Sequence, residues 1–207
     1  MSLFIVFEGE EGSGKSLQSK LLYDRIRDLK IPGILVHEPG GTPLGEEISR
    51  ILKSNKDLEI GPLAELLLFN ASRSQLVSRV IRPALDKGQI VVCDRFTAST
   101  IVYQGYGRGL EPELIECMND ASTGGLTPDI AFLLDMPVEK GLARKAAEGL
   151  DRFEREQAVF HERVRQGYLA LAAAEPERWC VIDADQEKDV ISEAVWRRVS
   201  PLLHRKN

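Results

Sequence analysis

The sequence has little cysteine, no long apolar run and no excess of positive charge, and each absence excludes a class of protein. Its three cysteines, Cys93, Cys117 and Cys180, are far apart and lack metal-ligand spacing, so they predict reduced thiols in a cytoplasmic protein. No apolar run is long enough to cross a membrane, and no charged-then-apolar leader precedes the first predicted strand. A net charge of −5 argues against a nucleic-acid polymer as partner. Anionic small ligands must then be held by local arginines and backbone N–H groups.

The chain also lacks internal repeats, low-complexity tracts and Pro/Gly-rich linkers, so residues 1–207 predict one domain with a substantial core. Strands are predicted at about 3–7, 34–36, 89–93, 129–135 and 179–183. Helices are predicted at about 15–29, 45–53, 63–87, 98–106, 111–122, 152–174 and 187–203, with helix, loop and helix over 138–154. This alternation predicts an α/β fold: a five-stranded parallel sheet flanked by helices, with ligands outside the carboxyl ends of the strands.

A glycine-rich segment follows the first predicted strand and leads directly into the first predicted helix. Its sequence, Gly-Glu-Glu-Gly-Ser-Gly-Lys-Ser at 9–16, has the spacing and the flanking elements of a P-loop. Glycines let successive N–H groups point inward at phosphate oxygens, and the helix adds its positive end. Lys15 would reach the β- and γ-phosphates, and the Ser16 hydroxyl would ligate Mg²⁺. The predicted ATP-binding residues are Gly9, Glu10, Glu11, Gly12, Ser13, Gly14, Lys15, Ser16 and Leu17.

A P-loop alone fits an ATPase, a GTPase switch or a kinase, so the class depends on other residues. A GTPase switch needs a guanine-reading Asn-Lys-x-Asp segment after a strand. The segment at 55–57, Asn-Lys-Asp, lacks that spacing and follows a predicted helix. The sequence therefore favours an enzyme with a second small ligand over a switch.

Polar and aromatic residues on two predicted helices indicate that second ligand. Phe69 and Arg73 are four residues apart, and a flat ring beside a guanidinium can stack on a nucleobase and bond its edge. On these two residues alone, a core phenylalanine and a solvated arginine are the commoner interpretation. Thr100, Tyr103 and Gln104 also share one helical face, which is unusual for a surface that faces a core.

The chain resembles the bacterial thymidylate kinases from end to end. The most specific segments are Glu-Pro-Gly-Gly-Thr at 38–42, Phe-x-x-x-Arg at 69–73 and Tyr-Gln-Gly at 103–105. The matching segments are 7–9, Gln18, 38–43, 45–46, 68–75, 94–96, 103–105, 107–110, 128–129, 134–135, 151–154 and 182–184. Two positions depart from the family pattern: Leu17 stands where Thr or Ser is usual, and His37 where arginine is frequent.

The resemblance implies an ATP- and Mg²⁺-dependent transfer of the γ-phosphoryl group to dTMP, giving dTDP for dTTP synthesis, by a homodimer. It implies that Phe69 stacks on thymine, that Arg73 bonds its O4, and that Tyr103 disfavours a 2′-hydroxyl. Arg95 would bind the acceptor phosphate, and Asp94 would help to place Mg²⁺. The implied substrate-binding residues are Glu11, Glu38, Pro39, Phe69, Arg73, Arg95, Thr100, Tyr103 and Gln104, and the implied metal residues are Ser16 and Asp94.

The transition state of phosphoryl transfer gains from an arginine, and the variable P-loop positions hold no basic residue. The basic segment at 144–155 is the alternative source, as in the enzymes that the chain resembles. Arg144 and Arg152 are the leading candidates, ahead of Lys145 and Arg155, within a short lid at about 140–156. With Lys15 and Arg95 they complete the predicted catalytic set. The same segment also fits a solvated helix face, because Glu148, Asp151 and Glu154 lie among its basic residues.

Two other functions remain open at the level of sequence. The nearest is a kinase for another nucleoside monophosphate or for a deoxynucleoside. The other is a P-loop regulator that binds nucleotide without efficient transfer, which the two sets of site residues argue against.

Overall fold

The computed structural model describes residues 2–54, 58–145 and 152–203. At its centre lie five parallel strands: β1 (Leu3–Glu8), β2 (Gly33–His37), β3 (Ile90–Asp94), β4 (Ile130–Asp135) and β5 (Trp179–Asp183). Their order in the sheet is β2-β3-β1-β4-β5. The predicted five-stranded parallel sheet flanked by helices is confirmed. The Asn-Lys-Asp segment at 55–57 and residues 146–151 of the predicted lid lie outside the described residues.

Helices connect the strands and cover both faces of the sheet. They are α1 (Lys15–Asp28), α2 (Pro43–Lys53), α3 (Pro62–Leu76), α4 (Arg82–Asp86), α5 (Thr97–Thr100), α6 (Pro112–Thr123), α7 (Val138–Lys145), α8 (Ala158–Ala174) and α9 (Lys188–Leu203). A π-helical segment at Val77–Ile81 joins α3 to α4, and another at Ile101–Gly107 extends α5. None of the helices in the described ranges is both long and apolar enough to cross a bilayer.

The alternation of side chains along β1 divides the core into two layers. Leu3, Ile5 and Phe7 pack with α1 and α9 on one face, whereas Phe4 and Val6 pack with β3 and the α3–α4 segment on the other. All six residues of β1 are buried, as expected for a central strand covered on both faces. This packing fixes the end of β1, from which the glycine-rich turn begins.

Three predicted helices differ in the structure. The one predicted at 98–106 is α-helical only over Thr97–Thr100 and continues as a π-helical segment. The helix predicted at 152–174 begins only at Ala158, because the residues before it form turns that place Arg152 against Glu65 and bury Phe153 against Phe69. The helix predicted at 63–87 is interrupted by the π-helical segment at Val77–Ile81, just before Pro83. Proline has no N–H to donate, so the regular hydrogen-bond ladder changes near it.

Candidate active site

The turn after β1 is shaped so that only glycine fits at two of its positions. Gly9 has a φ of 141°, and a Cβ there would lie 2.5 Å from the carbonyl oxygen of Leu134 at the end of β4. Gly12 has a φ of 72°, and its Cβ would lie 2.2 Å from the carbonyl oxygen of Gly141 on α7. Both the conformation and the close backbone approach exclude other residues. The turn is therefore held tightly between the sheet and α7.

Lys15, the first residue of α1, folds back into this turn. Its Nζ donates to the carbonyl oxygen of Glu10 at 2.6 Å and to Ser13 Oγ at 3.4 Å. Burial lowers the pKa of Lys15, with a further contribution from the charge of Arg95, and the carboxylate of Glu11 opposes the shift. The ammonium group thus lies inside the turn, where a phosphate chain would provide stronger acceptors.

Arg95 joins the P-loop to the opposite side of the cavity. Its guanidinium donates to Glu11 Oε1 at 2.5 Å, to the carbonyl oxygen of Gly9 at 3.0 Å and to the Tyr103 hydroxyl at 3.3 Å. Burial acts to raise the pKa of Glu11, but Arg95 and Lys15 outweigh it and lower the pKa to about 2. Arg95 also has a φ of 69°, which is unfavourable for a residue with a side chain. The backbone after β3 is strained where the guanidinium is needed.

Ser16 and Asp94 meet at the entrance of the cavity. The Ser16 hydroxyl donates to Asp94 Oδ2, while Asp94 Oδ1 is buried without a hydrogen-bond partner among the described residues. A hydroxyl and a carboxylate with a spare oxygen are the hard ligands that Mg²⁺ prefers. The two predicted metal residues are therefore brought together, and their oxygens are of the kind that fits Mg²⁺.

A single cavity of about 710 Å³ extends from the P-loop to the helices predicted to hold a second ligand. Its wall includes Phe69 of α3 and, from α5 and the segment after it, Thr100 and Gln104. Thr100 Oγ1 is buried without a partner in the described part of the chain, so a polar group is available to a ligand there. Further wall residues predicted from the sequence are Glu11, Gly12, Gly14, Lys15, Ser16, Leu17, Glu38, Pro39, Asp94, Arg95, Tyr103 and Arg144.

Arg73 lies behind this wall, and the interpretation of a solvated arginine is wrong because its side chain is 1% exposed. Its Nε donates to Glu38 Oε2 at 2.7 Å, and its two terminal nitrogens donate to Asn119 Oδ1 at 2.8 Å and to the Phe96 carbonyl oxygen at 3.1 Å. A longer bond of 3.5 Å reaches Asn70. Burial raises the pKa of Glu38 to about 7, although Arg73 acts to lower it. Since a guanidinium has five N–H groups, these four bonds leave one for a ligand.

Comparison with known proteins decides the family. A sequence model described as thymidylate kinase matches residues 7–195. The chain belongs to the thymidylate kinase family. A thymidylate kinase of Dehalococcoides mccartyi is 51% identical over 203 residues, which cover 98% of this chain and 98% of that relative. A thymidylate kinase of a Roseiflexus species is 45% identical over 216 residues, covering 98% of this chain and 96% of the relative.

A solved structure gives the same family. The crystal structure of thymidylate kinase from Ehrlichia chaffeensis superimposes with a TM-score of 0.78 at 34% sequence identity, covering 96% of this chain and 98% of that one. The resemblance noted from the sequence and the P-loop nucleoside monophosphate kinase fold are therefore confirmed. As a member of the thymidylate kinase family, the chain is an enzyme of the phosphotransferase class.

The two arginines predicted for the lid lie at different places in this thymidylate kinase fold. Arg144 of α7 is beside the P-loop, and its Nη1 donates to the Gly12 carbonyl oxygen at 3.4 Å and to the Ala184 carbonyl oxygen at 3.3 Å. Arg152 lies instead against α2 and α3, where it donates to Glu65 Oε2 at 2.5 Å and to the Leu52 carbonyl oxygen at 3.0 Å. The structure therefore places Arg144, and not Arg152, in contact with the P-loop.

Glu65 is a site residue that the sequence reasoning missed. Its buried carboxylate accepts from Gln104 at 2.7 Å, from Arg108 at 3.2 Å and from Arg152 at 2.5 Å. It thus joins a cavity-lining amide to the segment that precedes α8. A signal was present, because Glu65 is an acidic residue among leucines in Leu-Ala-Glu-Leu-Leu-Leu-Phe at 63–69.

Glu8 is not among the predicted site residues, although it lies in the matching segment at 7–9. It holds the loop that carries Arg95. It accepts from the backbone N–H of Phe96 at 2.9 Å, from Ser99 Oγ at 2.7 Å and from the Tyr168 hydroxyl at 3.0 Å. Burial raises the pKa of Glu8, while Ser99 and Arg95 oppose the shift. Nothing in the local sequence identifies Ser99 and Tyr168 as its partners, since they come from α5 and α8.

Proposed function

We propose that this protein catalyses ATP- and Mg²⁺-dependent phosphorylation of dTMP to dTDP, a step in dTTP synthesis. The observation that carries the proposal is the single cavity that extends from Lys15 of the P-loop to Phe69 and Gln104. Such a cavity can hold a donor and an acceptor in line. Holding them so removes most of the entropic barrier to transfer.

The donor would lie in the turn at 9–17, with Lys15 exchanging its bond to the Glu10 carbonyl oxygen for ATP phosphate oxygens. This exchange is supported by the burial of the ammonium group within the turn. Mg²⁺ held by Ser16 and Asp94 would supply neutralisation of phosphate charge. Arg144 would add a positive charge beside Gly12, where the γ-phosphate is expected.

The acceptor would lie with its base against Phe69 and its sugar near Tyr103. The remaining N–H of Arg73 would donate to thymine O4, and Thr100 Oγ1 and Gln104 would bond the rest of the base edge and its surroundings. Arg95 would bind the acceptor phosphate, while Glu38, which holds Arg73, and Pro39 would lie beside the acceptor on the same wall. No general base is required, because the attacking phosphate oxygen is already an anion.

Glu11 and Arg95 would exchange partners when the acceptor binds. The guanidinium of Arg95 and the carboxylate of Glu11 neutralise each other at 2.5 Å. An acceptor phosphate offers Arg95 a stronger partner, and the carboxylate of Glu11 is then available to a sugar hydroxyl. The family resemblance assigns Glu11 to the 3′-hydroxyl, which agrees with this exchange.

We further propose that residues 140–156 form a lid on a single domain, 1–207, and that Arg144 or Arg152 supplies the positive charge at the transition state. Arg152 would have to leave Glu65 to do so, which makes it the more costly of the two to recruit. An arginine at the transition state is worth about 10³–10⁵ in rate. If Arg144→Ala and Arg152→Ala both turn over at the parent rate, the lid assignment is wrong.

The family resemblance also implies a homodimer, and the scattered cysteines predict a cytoplasmic protein; we adopt both as proposals. Leu44, Leu63 and Leu67 of α2 and α3 support the dimer, because they are about half exposed on adjacent helices that a second copy would cover. Light scattering of the purified protein measures the oligomeric state directly.

An acceptor panel with ATP and Mg²⁺ tests the proposed activity. ADP release is measured with dTMP, dUMP, dCMP, other nucleoside monophosphates and thymidine, with Lys15→Ala as the inactive control. We expect the rate with dTMP to exceed the rate with dUMP. The dUMP rate should still be measurable, because a missing methyl costs only about 1–3 kcal/mol of binding free energy. We expect the rate with dUMP to exceed the rate with dCMP, because the amino group of cytosine is a donor and would face Arg73, which is also a donor. Comparable rates with dCMP or with thymidine would overturn the proposal.

A further inference from the structure

A buried carboxylate and a buried imidazole connect the P-loop to α8. Glu10, the second residue of the turn, is 4% exposed, and His161 in the first turn of α8 is 0% exposed. His161 Nδ1 lies 3.1 Å from Glu10 Oε2. Neither residue lines the ligand cavity, so this contact is a separate feature of the fold.

The pair is linked directly to the residue that would hold ATP. The backbone carbonyl of Glu10 accepts from Lys15 Nζ at 2.6 Å, while the side chain of Glu10 extends to α8. A shift of the Glu10 side chain would therefore move the backbone that positions the ammonium group. His161 determines where that carboxylate lies.

The charge of Glu10 also presents a problem for a loop that binds a polyphosphate. A carboxylate in the turn would repel the ATP phosphates unless a cation neutralises it. The groups that face the pair are Glu11, Lys15, Glu156, Tyr103 and Tyr168, in addition to Glu10 and His161 themselves. Lys15 is needed by the phosphates, so His161 is the cation that remains for Glu10.

The surroundings of His161 favour its charged form. Burial lowers the pKa of His161, but the hydrogen bond and charge of Glu10, helped by Glu11 and Glu156, outweigh burial and raise the pKa above its ordinary value. Two atoms of the pair, Glu10 Oε1 and His161 Nε2, have no partner within the described residues. Because Glu10 Oε1 has no partner among those residues, loss of the imidazolium charge would leave the buried carboxylate with one neutral hydrogen bond as its compensation.

We propose that His161 is a positioning residue of the ATP site, which in its imidazolium form neutralises Glu10 and holds the P-loop ready for the triphosphate. This inference rests on the proposed ATP-dependent function. It assigns His161 no contact with substrate. Its effect falls on donor binding, so the KM for ATP is expected to change while the KM for dTMP does not.

Three variants separate charge from packing: Glu10→Gln, His161→Gln and the double variant. His161→Gln keeps a polar partner for Glu10 but removes the positive charge, and we expect ATP affinity to fall about tenfold or more. In the double variant no carboxylate remains to be neutralised, so affinity should be higher than that of His161→Gln by about threefold or more. Glu162→Gln, an exposed change on α8, is the matched control. If the double variant is no better than His161→Gln, the inference is wrong.

The dependence on pH gives a second test that does not require His161 to be replaced. ATP affinity of the parent, measured by calorimetry without acceptor, should fall as pH rises from about 6.5 through the raised pKa of His161. Glu10→Gln should lack this additional fall, whereas the titration of ATP itself is common to both proteins. Identical profiles would overturn the inference. This measurement contains no acceptor. It therefore tests the role of His161 in ATP binding even if the acceptor panel shows no phosphorylation of dTMP.

Discussion

Contact between α7 and the P-loop permits a sharp test of how the donor site is built. Gly141 of α7 packs so closely on the turn that a Cβ at this position would lie 2.4 Å from the carbonyl oxygen of Glu11. We predict that Gly141→Ala damages ATP use although it adds only one methyl group. The change is informative because alanine is otherwise the better helix residue, by up to about 1 kcal/mol.

The expected size follows from the distance. To reach ordinary contact the methyl must retreat by about 1 Å from the backbone of Glu11, while the Met136 sulfur already lies 3.6 Å away. Overpacking of this kind costs about 1–3 kcal/mol, which exceeds the gain in helix propensity. A displacement of about 1 Å can lower the rate of transfer about a hundredfold. The same displacement of α7 would lengthen the bond from Arg144 Nη1 to the Gly12 carbonyl oxygen, which is 3.4 Å in the parent.

The assay is coupled ADP release at saturating dTMP over a range of ATP concentrations. We expect kcat/KM for ATP to fall between tenfold and a hundredfold, with a small drop in melting temperature. Ala143→Ser is the matched control, because it adds one atom at an exposed position of the same helix. If Gly141→Ala retains the parent kcat/KM and melting temperature, α7 does not constrain the P-loop as the structure indicates.

Three further predictions concern the acceptor side and stability. Glu65→Gln should lower the free energy of unfolding in urea by about 3 kcal/mol, because Arg108 and Arg152 lose their buried partner. The control, Glu113→Gln at an exposed position, should change it little. Equal unfolding midpoints for the two variants would contradict the role of Glu65. Phe69→Ala should raise the KM for dTMP about tenfold through lost stacking, with the KM for ATP within twofold; an equal rise in both would argue against a base at Phe69. Since the pKa of Glu11 is lowered to about 2, its ionised form stabilises the fold above the ordinary value of 4.5 and this stabilisation is lost as pH falls toward 2. The difference is about 3 kcal/mol, so Glu11→Gln should show a flatter acid dependence in denaturant titrations, and parallel curves would refute the shift.

Features encoded by adjacent residues were predictable. The all-apolar strand that ends at Glu8, the glycine spacing and the residues Lys15 and Ser16 lie within one short segment, so strand, turn and helix follow from local chemistry. The ends of parallel strands meet at one edge of a sheet, which is why Asp94 was correctly expected near the P-loop.

Features that depend on distant partners were not predictable. The start of α8 at Ala158 is set by the contacts of Arg152 with Glu65 and of Phe153 with Phe69, which override the helical pattern at 152–157. The pairing of Glu10 with His161 joins residues that are 151 positions apart. Periodicity and spacing carry no information about such pairs.

The left-handed backbone of Arg95 limits how far this enzyme can be made heat-resistant. Replacement by glycine would relieve about 1 kcal/mol of backbone strain after β3, where φ is 69°, but it would also leave the Glu11 carboxylate without its guanidinium partner, which costs more. The same exchange would delete the guanidinium on which the catalytic proposal depends. A search for thermostable variants should therefore find position 95 closed to improvement, because one strained residue serves both the fold and the proposed chemistry.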